Sequence, residues 1–469
     1  MYPTLKQLNW PQIEAEILAF WEQESVFQQS VDQRHDAPSF TFFEGPPSAN
    51  GMPGIHHVMA RAIKDIFCRY KTQQGFRVAR KGGWDTHGLP IELQVEKRLG
   101  IKKEDIGTKI SMEDYNKECR ADVLMFKDRW DDLTKQIGYW VDLDNPYVTY
   151  ENNYIESLWH LLKQLHEKGF LYKGYTIQPF SPAAGTGLSS HELNQPGTYQ
   201  NVKDTTIVAQ FQVQGTEDEY FLAWTTTPWT LPSNTALAVG KDIDYDQIET
   251  FNPYTGAKIK VTLASALVGK YFSAEGAEAP LEDYTPQQKV LPWRKLNTQK
   301  GSDLAGTRYH QLLPYAQPEE GDAFRVVIGD FVSTEDGTGI VHIAPSFGAD
   351  DFKTARENGI GALTLVDKKG KFLDCVTDFA GEYVKEAYLS DDEKAEEAQK
   401  QGRDKYLGVD ERISIKLKQE NKAFKVEKYE HTYPHCWRTD KPILYYPLES
   451  WFVRTTAVKD RLVELNKTI

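Results

Sequence analysis

Cysteine is scarce in this sequence, and long apolar runs are missing altogether. Four cysteines are spread over 469 residues without a Cys-x-x-Cys pair, whereas disulfide scaffolds are far denser and zinc ribbons need paired ligands. No run reaches the roughly 18–20 apolar residues that a bilayer span requires. The first thirty residues contain one basic residue, Lys6, so no signal peptide fits. We therefore expect a cytoplasmic protein with no membrane partner.

An excess of positive charge is also lacking. The chain has 55 basic and 68 acidic residues and a formal net charge of −13, which excludes a general attraction to phosphate backbones. Any contact with nucleic acid must come from a local patch. With 40% hydrophobic and 26% charged residues the composition is that of a globular protein, and the length suggests about three domains.

The first third of the chain has the pattern that opens a β-α-β unit. Apolar residues at helical spacing predict a helix within residues 9–26, and Ser39–Phe43 is a short β-favouring run. A Gly- and Pro-rich loop, Glu44–Gly54, leads into a second apolar helical repeat that ends near Gly75. Another β-like run, residues 76–80, meets a polar turn at residues 82–90, where ligands bind in open α/β sheets.

The pattern of apolar and polar residues changes after a further predicted helix, residues 154–166. A Gly-, Pro- and Ser-rich stretch at residues 178–196 indicates a boundary, and between residues 204 and 343 apolar residues mostly alternate with polar ones. This alternation predicts a second, largely β domain. The acidic run at residues 391–400 is typical of a solvated helix face.

One candidate site is Gly54-Ile55-His56-His57, at the expected start of a helix. The first turn of a helix offers unpaired N–H groups and partial positive charge, so adjacent imidazoles there can hold phosphate oxygens. By itself the tetrapeptide is weak evidence for a ligand site, and it fits better a pair of histidines that cap a helix without a ligand.

The surrounding motifs favour a phosphate-binding site over a ligand-free helix cap. Gly45-Pro-Pro-Ser-Ala-Asn-Gly-Met-Pro, the His pair, Lys64-Asp65 and Gly83-Trp-Asp-Thr-His-Gly-Leu-Pro together resemble class I aminoacyl-tRNA synthetases, and specifically their isoleucyl members. The resemblance continues through Thr225-Thr-Thr-Pro-Trp-Thr-Leu-Pro-Ser-Asn, Gly337-Thr-Gly-Ile-Val-His-Ile-Ala-Pro and Ser450-Trp-Phe-Val. It thus covers essentially the whole chain.

That resemblance implies an α/β fold, a Rossmann-type catalytic domain interrupted by a mostly β editing domain. The implied activity is activation of isoleucine by ATP with Mg²⁺, transfer to the isoleucine tRNA, and hydrolysis of mischarged Val-tRNA, in a monomer. The implied domains are a helical extension (1–38), the first half of the catalytic domain (39–180), a connecting ribbon (181–203), the editing insertion (204–424) and a return segment (425–469).

The resemblance also implies an activation site. His56 and His57 would face the ATP phosphates, and Asp85 would pair with the ammonium group of the amino acid, beside Pro46. The alternative for Asp85 is a carboxylate that only stabilises its turn. The residues implied to line the adenylate pocket are Gly45, Pro46, Pro47, Asn50, Gly51, Gly54, His56 and His57.

The His motif departs from the family order His-x-Gly-His, because Gly54 stands at its first position and His56 at its third. Two helical steps correspond to about 200° of rotation, so His56 is expected to emerge on another side. We hypothesise that Gly54 allows close approach of the backbone while His56 supplies the displaced imidazole.

A second implied site, for hydrolysis, lies in the β region. By resemblance Asp351 holds the substrate's α-amino group, while Thr226, Thr227 and His342 shape the side-chain pocket and the water site. Considered singly, these residues fit an ordinary strand and a structural histidine. Asp350 is a second candidate carboxylate beside Asp351, and the resemblance favours Asp351. The implied editing residues are Thr225, Thr226, Thr227, Trp229, Asn234, His342 and Asp351.

Two features expected by resemblance are missing. Many relatives carry a zinc ribbon where this chain has Ser181-Pro-Ala-Ala and Cys436-Trp-Arg-Thr, so one thiol of four remains and we expect no zinc. No Lys-Met-Ser-Lys-Ser-like segment or anticodon-binding region occurs, which suggests a fragment that edits but does not activate. A valyl-tRNA synthetase and a non-activating proofreading or RNA-binding module are the alternatives.

Overall fold

The computed structural model describes residues 8–42, 44–282, 284–286 and 288–468. The chain divides into two compact units, unit 1 with Met1–Tyr172 and Val453–Ile469, and unit 2 with Lys173–Phe452. Among the described residues, no helix is both long and apolar enough to span a bilayer. The five domain limits expected from the sequence stay a prediction.

Unit 1 is mainly helical around a short parallel strand pair. Its first elements are α1 Trp10–Gln23, α2 Val26–Asp32, α3 Ile55–Gln73, β1 Lys81–Trp84, α4 Leu89–Leu99, α5 Met112–Val123, α6 Lys127–Gln136, β2 Asp142–Val148 and α7 Asn152–Glu167. Strand β1 pairs in parallel with β2. Beside this pair, a small core of Ala49, Trp84, Trp130 and Val148 packs together.

The helices predicted in this part are confirmed. Helix α1 lies inside residues 9–26, α7 spans the predicted 154–166, and α3 ends just before Gly75, whose φ of +95° favours glycine. None of the residues of α1 is buried, although the ring of Trp21 packs edge-on against that of Trp140 at 5.3 Å.

The predicted strand at residues 76–80 is wrong, because the regular strand is β1, a few residues later. Within the first run, Ser39 forms only an isolated parallel bridge to Arg77, while Phe43 lies outside the described residues. The strand was missed because Gly82 and Gly83 carry no apolar side chain to show its alternation. Glycine is required there by packing, since the Tyr147 ring occupies the space beside Gly83.

We expect Gly83→Ala to destabilise unit 1. A Cβ on Gly83 would lie 2.2 Å from Cζ of Tyr147, inside a packed ring. Overpacking of this kind costs about 1–3 kcal/mol of unfolding free energy. Thermal and urea unfolding measure the change, and Gly45→Ala is the matched control because no atom lies within 4 Å of its Cβ position. Equal stability of the two variants would show that Tyr147 moves aside without cost.

Unit 2 is built on three sheets and short helices. In chain order its elements are β3 Leu171–Ser181, β4 Thr186–Gly187, α8 Ser190–Leu193, β5 Tyr199–Gln212, β6 Glu219–Thr225, β7 Ala236–Val239, β8 Asp244–Phe251, β9 Lys258–Ala264, α9 Val268–Tyr271, α10 Ala274–Glu278, β10 Arg294–Lys300, α11 Gly301–Leu304, β11 Arg325–Ile328, β12 Ile340–Ile343, α12 Ala349–Glu357, α13 Asp391–Lys400, α14 Val409–Gln419, β13 Ala423–Pro434 and β14 Leu444–Val453; the last helix, α15 Lys459–Asn466, belongs to unit 1.

The largest sheet of unit 2 has six strands in the order β10-β8-β9-β6-β5-β13. A second sheet has the order β11-β7-β12, and a third the order β14-β3-β4. The predicted alternation in β5 is confirmed, because Ile207, Ala209 and Phe211 are fully buried in the main core. Val208 on the opposite face is also buried, in a second cluster. Both faces of β5 are therefore covered, so the sheet lies within the unit.

The acidic segment forms a helix, as predicted. Helix α13 begins after Ser390, whose hydroxyl accepts the N–H of Glu393 in a capping box. The side chains of the run are mostly exposed. It is a solvated face.

Candidate functional site

In unit 1 the two histidines lie side by side at the first turn of α3. The centres of the His56 and His57 rings are 3.8 Å apart. The N–H of Gly54 donates to Nδ1 of His57 at 2.9 Å. A Cβ on Gly54 would lie 2.8 Å from Cε1 of His56, so the glycine gives the displaced imidazole room to fold back onto its own turn. A side chain at position 54 would therefore meet the His56 ring, so the glycine at position 54 and the histidine at position 56 fit each other.

His57 is held in a defined protonation state. Burial, followed by the neighbouring His56 and Arg61, lowers its pKa below the ordinary value. Because Nδ1 accepts from Gly54, the proton of the neutral ring sits on Nε2. The Nε2–H and the free N–H groups of the helix start are donors that suit a phosphate oxygen.

The Gly- and Pro-rich loop is tied to its neighbours mainly through backbone carbonyls. Trp130 Nε1 donates to the carbonyl of Gly51 at 2.8 Å, and Phe126 N donates to that of Ala49 at 2.9 Å. Asn50 uses its side-chain amide instead, which donates to Gln94 at 3.1 Å. These three bonds use loop carbonyls and one loop side chain, so none of the three occupies a backbone N–H group of the loop.

Asp85 is brought to the same loop. Its N–H donates to the carbonyl of Pro47 at 3.0 Å, which places the backbone of the half-buried Asp85 beside Pro47. The contact from His87 N to Asp85 Oδ1 is long, at 3.5 Å. The carboxylate is therefore only weakly engaged within the protein, as a group that receives an ammonium should be.

Glu44 was missed in the sequence. Its carboxylate, 6% exposed, accepts from Lys64 Nζ at 2.5 Å and from the Tyr139 hydroxyl, and its backbone carbonyl accepts from the Tyr147 hydroxyl at 2.6 Å. Burial and the adjacent carboxylate raise the pKa of Tyr139. The acidic residue directly before Gly-Pro-Pro was the available signal. Glu44 anchors the beginning of the loop.

In unit 2 the three threonines form a turn at the end of β6. Thr225 Oγ1 accepts from the N–H of Thr227 at 3.1 Å and lies 3.3 Å from its hydroxyl. Among the described residues, no partner engages the half-buried Thr226 side chain. Its hydroxyl is the one of the three that is available to a ligand.

His342 is fully engaged within the protein. The Thr230 hydroxyl donates to the carbonyl of Thr227 at 2.8 Å, so it must accept from Nε2–H of His342 at 2.9 Å. The other ring nitrogen faces the amide of Asn234 at 3.4 Å, and Tyr309 fixes that amide at 2.7 Å. Burial lowers the pKa of His342 to about 4. His342 is thus a neutral positioning group, with neither nitrogen free for water.

Asp351 lies in the first turn of α12 and reaches back to the end of β12. Its Oδ2 accepts from the N–H of Ala344 at 2.8 Å. Burial, with a smaller effect from Asp350, raises the pKa of this carboxyl to about 7. Asp350 itself is exposed. Of the two carboxylates, Asp351 is the one that is half-buried and hydrogen-bonded within the protein.

Comparisons with known proteins identify the family of the chain. The family described as tRNA synthetases class I (I, L, M and V) matches residues 16–469. The isoleucine–tRNA ligase of Cytophaga hutchinsonii is 64% identical over 99% of this chain and 43% of its own length. That of Bacteroides fragilis strain YCH46 is 55% identical, over 99% and 42%, and that of Clostridium tetani 42% identical, over 98% and 40%.

The chain belongs to the class I tRNA synthetases. It spans less than half the length of these curated relatives, about 43% for the Cytophaga protein. The predicted resemblance and the α/β fold class are confirmed.

Two solved structures are similar to this chain, one over most of its length and one over about half. The ternary complex of Agrobacterium radiobacter K84 LeuRS, tRNA and LeuAMS covers 92% of this chain and 48% of its own, at 15% identity and a TM-score of 0.30. GlLeuRS-CP1 covers 48% of this chain and all of its own, at 15% and 0.29.

The two segments of this synthetase where zinc ligands were considered are tight turns. The carbonyl of Ser181 accepts from the N–H of Gly185 at 2.8 Å, and that of Cys436 accepts from the N–H of Asp440 at 2.7 Å. Ser181 and Cys436 are both fully buried. In the described part of the chain, no three His, Cys, Asp or Glu side chains are placed to hold a metal ion. The expected absence of zinc stays a prediction.

The predicted residues therefore fall into two groups of this synthetase fold, one in each unit. Asp85 and Pro47 are brought together in unit 1, and the His pair stands on the helix that follows the same loop. In unit 2 His342 and Asn234 contact each other, while Thr230, Tyr309 and Asp410 join the group without having been predicted. Tyr309 and Asp410 gave no local signal, because their partners lie 75 and 181 residues away. Thr230, by contrast, lies within the Thr225–Asn234 motif.

Proposed function

We propose that this chain is part of an isoleucine–tRNA ligase, with an adenylate site in unit 1 and a hydrolytic site for mischarged tRNA in unit 2. The observation that carries the proposal is 64% identity to such a ligase over 99% of the chain. Isoleucine, ATP and the isoleucine tRNA are the proposed substrates of the ligase. Isoleucine tRNA mischarged with valine is the proposed substrate of the hydrolytic site in unit 2.

To bind the adenylate, the loop from Gly45 to Gly54 supplies backbone donors to the nucleotide, and His56 with His57 faces its phosphates. Asp85 pairs with the ammonium group, because a cation taken out of water needs an ionised partner. Isothermal titration of the chain with a non-hydrolysable isoleucyl-adenylate analogue tests this site. We expect binding that Asp85→Ala abolishes. Tighter binding of the valyl analogue would support the valyl alternative, and no binding would support a non-activating module.

Editing follows from a physical limit on recognition. Valine lacks one methylene of isoleucine, which is worth only about 1–3 kcal/mol in an apolar pocket, and these two amino acids are the best-known example of that limit. A second site that admits valine and excludes isoleucine supplies the missing selectivity. The Thr225–Thr227 turn and Asp351 offer the wall and the ammonium anchor of such a site.

The direct test is hydrolysis of isoleucine tRNA charged with radiolabelled valine or isoleucine. We expect the chain to release valine and to leave isoleucine bound. If neither amino acid is released faster than the spontaneous rate, editing by this chain is refuted. If both are released equally, the proposed discrimination between valine and isoleucine is refuted.

The raised pKa of Asp351 predicts a pH dependence. Below about pH 7 the carboxyl is largely protonated and cannot pair with an ammonium, so kcat/KM for Val-tRNA hydrolysis should rise with pH from about 6 to 7.5. Above that range the substrate's own ammonium group begins to lose its proton. His342, with a pKa of about 4, stays neutral throughout and adds no titration. Rates are corrected for spontaneous hydrolysis. The residual activity of Asp351→Asn should lack this rise, and an unchanged profile in that variant would assign the titration to another group.

A further inference from the structure

A buried lysine in unit 2 holds two carboxylates. Lys385 Nζ lies 2.8 Å from Oδ2 of Asp204 on β5 and 3.7 Å from Oδ2 of Asp410 on α14. The lysine side chain is 8% exposed, and it also lies over the Tyr433 ring at 4.7 Å. Lys385 is buried, whereas the side chains of Asp410 and Asp204 are 15% and 24% exposed. Taking such charges out of water carries a free-energy cost that only good pairing geometry offsets.

The second oxygen of Asp410 points to the threonine-rich motif. Oδ1 accepts from the N–H of Trp229 at 2.8 Å, across 181 residues of sequence. Trp229 belongs to a short 3₁₀ turn, Pro228–Ser233, that is buried along its whole length. This backbone N–H lies near the start of the turn, where a helical segment has no internal acceptor. The carboxylate therefore holds the turn at its first residues.

The same turn orients the histidine. Thr230, one residue after Trp229, donates to the carbonyl of Thr227 and accepts from Nε2 of His342 at 2.9 Å. A shift of the Trp229 backbone would move the Thr230 hydroxyl relative to both partners. An unbroken chain of contacts thus runs from Lys385 through Asp410 and the turn to His342.

We propose that Asp410 is a positioning residue of the hydrolytic site. Held by Lys385, it fixes the turn that carries Trp229 and thereby the relation between Thr227 and His342. This inference rests on the proposed editing function and assigns to Asp410 no contact with substrate. Its loss should lower kcat for Val-tRNA hydrolysis and leave KM nearly unchanged, because the ammonium anchor Asp351 is not disturbed.

Two double variants isolate the hydrogen bond from the charge. Asp410→Asn with Lys385→Met removes the lysine and the Asp410 charge and keeps an acceptor for Trp229 N–H. Asp410→Leu with Lys385→Met removes the same charges and the acceptor, at similar side-chain volume. Asp404→Ala with Lys405→Met, in an exposed loop, is the control. Each protein is assayed for kcat and KM on Val-tRNA and for its unfolding midpoint.

We expect the asparagine variant to keep kcat within about threefold and the leucine variant to lose at least about tenfold, a difference of about 1.4 kcal/mol. Near-wild-type kcat in both would overturn the proposal. Equal loss in both would overturn it too, since the charges rather than the hydrogen bond would then matter. An increase in KM alone would assign Asp410 to substrate binding and also contradict it.

Failure of the editing function itself gives a different result, because the unaltered chain would then release no valine. In that case the positioning role is refuted with it. Should the leucine variant not fold, Asp410→Ser with Lys385→Met takes its place, because a serine hydroxyl is too short to reach Trp229 N–H. The same tenfold criterion applies to it.

Discussion

Replacing Asp351 by alanine is expected to reduce hydrolysis of Val-tRNA by roughly 100-fold or more. Removal of one member of a buried, hydrogen-bonded charge pair typically costs about 2–5 kcal/mol. Here the pair forms between the Asp351 carboxylate and the substrate ammonium, so the loss should appear mainly in kcat/KM. The measurement is release of valine from Val-tRNA under subsaturating conditions.

The neighbouring residue provides the control. Asp350 is exposed, and Asp350→Ala should leave the rate within about threefold. Because Asp351 also accepts the N–H of Ala344, Asp351→Asn is needed as a variant that keeps an acceptor but removes the charge. Unfolding curves establish that each variant is folded. Full activity of Asp351→Asn, or an equal loss in Asp350→Ala, would be incompatible with the assigned anchor.

The largest stability effect is expected at Lys385. Methionine there fills a similar volume but leaves Asp410 and Asp204 without their cation. Breaking a buried ion pair by removal of one partner costs about 3–5 kcal/mol, because an uncompensated charge remains in the interior. The cost is expected because burial already raises the pKa of Asp410 to about 6 with the lysine present. The loss of unfolding free energy is measured by urea unfolding of the whole chain.

A matched change at the surface separates burial from loss of charge. Lys405 is exposed, so Lys405→Met should alter the unfolding free energy by no more than about 0.5 kcal/mol. Adding Asp410→Asn to Lys385→Met should recover part of the stability, since one unpaired carboxylate is removed. A Lys385→Met protein as stable as the wild type would show that the cluster contributes nothing to the fold.

Helices were more predictable from this sequence than strands. Apolar repeats located α1, α3 and α7, and the acidic run at residues 391–400 located α13. The strand β1 was missed because its pairing with β2 depends on the absence of side chains at Gly82 and Gly83. Likewise the β-favouring residues around Ser39 form only one bridge, since pairing depends on the partner segment and not on the run itself.

In the candidate sites, some residues were predictable from sequence motifs, whereas their contacts were not. Motifs identified Asp85, His342 and Asp351 because the residue types and their neighbours carry the resemblance. The bond from Asp85 to Pro47 and the complete engagement of His342 required coordinates. Asp410 and Lys385 lie in segments without a motif, and they reach the site through partners up to 181 residues away. Local patterns contain no information about such contacts.

A crystal structure of the chain with a non-hydrolysable valyl-adenosine, a mimic of the charged tRNA end, tests the central proposal most directly. We predict that the valyl nitrogen lies within about 3.2 Å of an Asp351 carboxylate oxygen, with the side chain against the Thr225–Thr227 turn. A bound analogue whose nitrogen contacts neither oxygen of Asp351, or an unaltered site at saturating analogue, would contradict it.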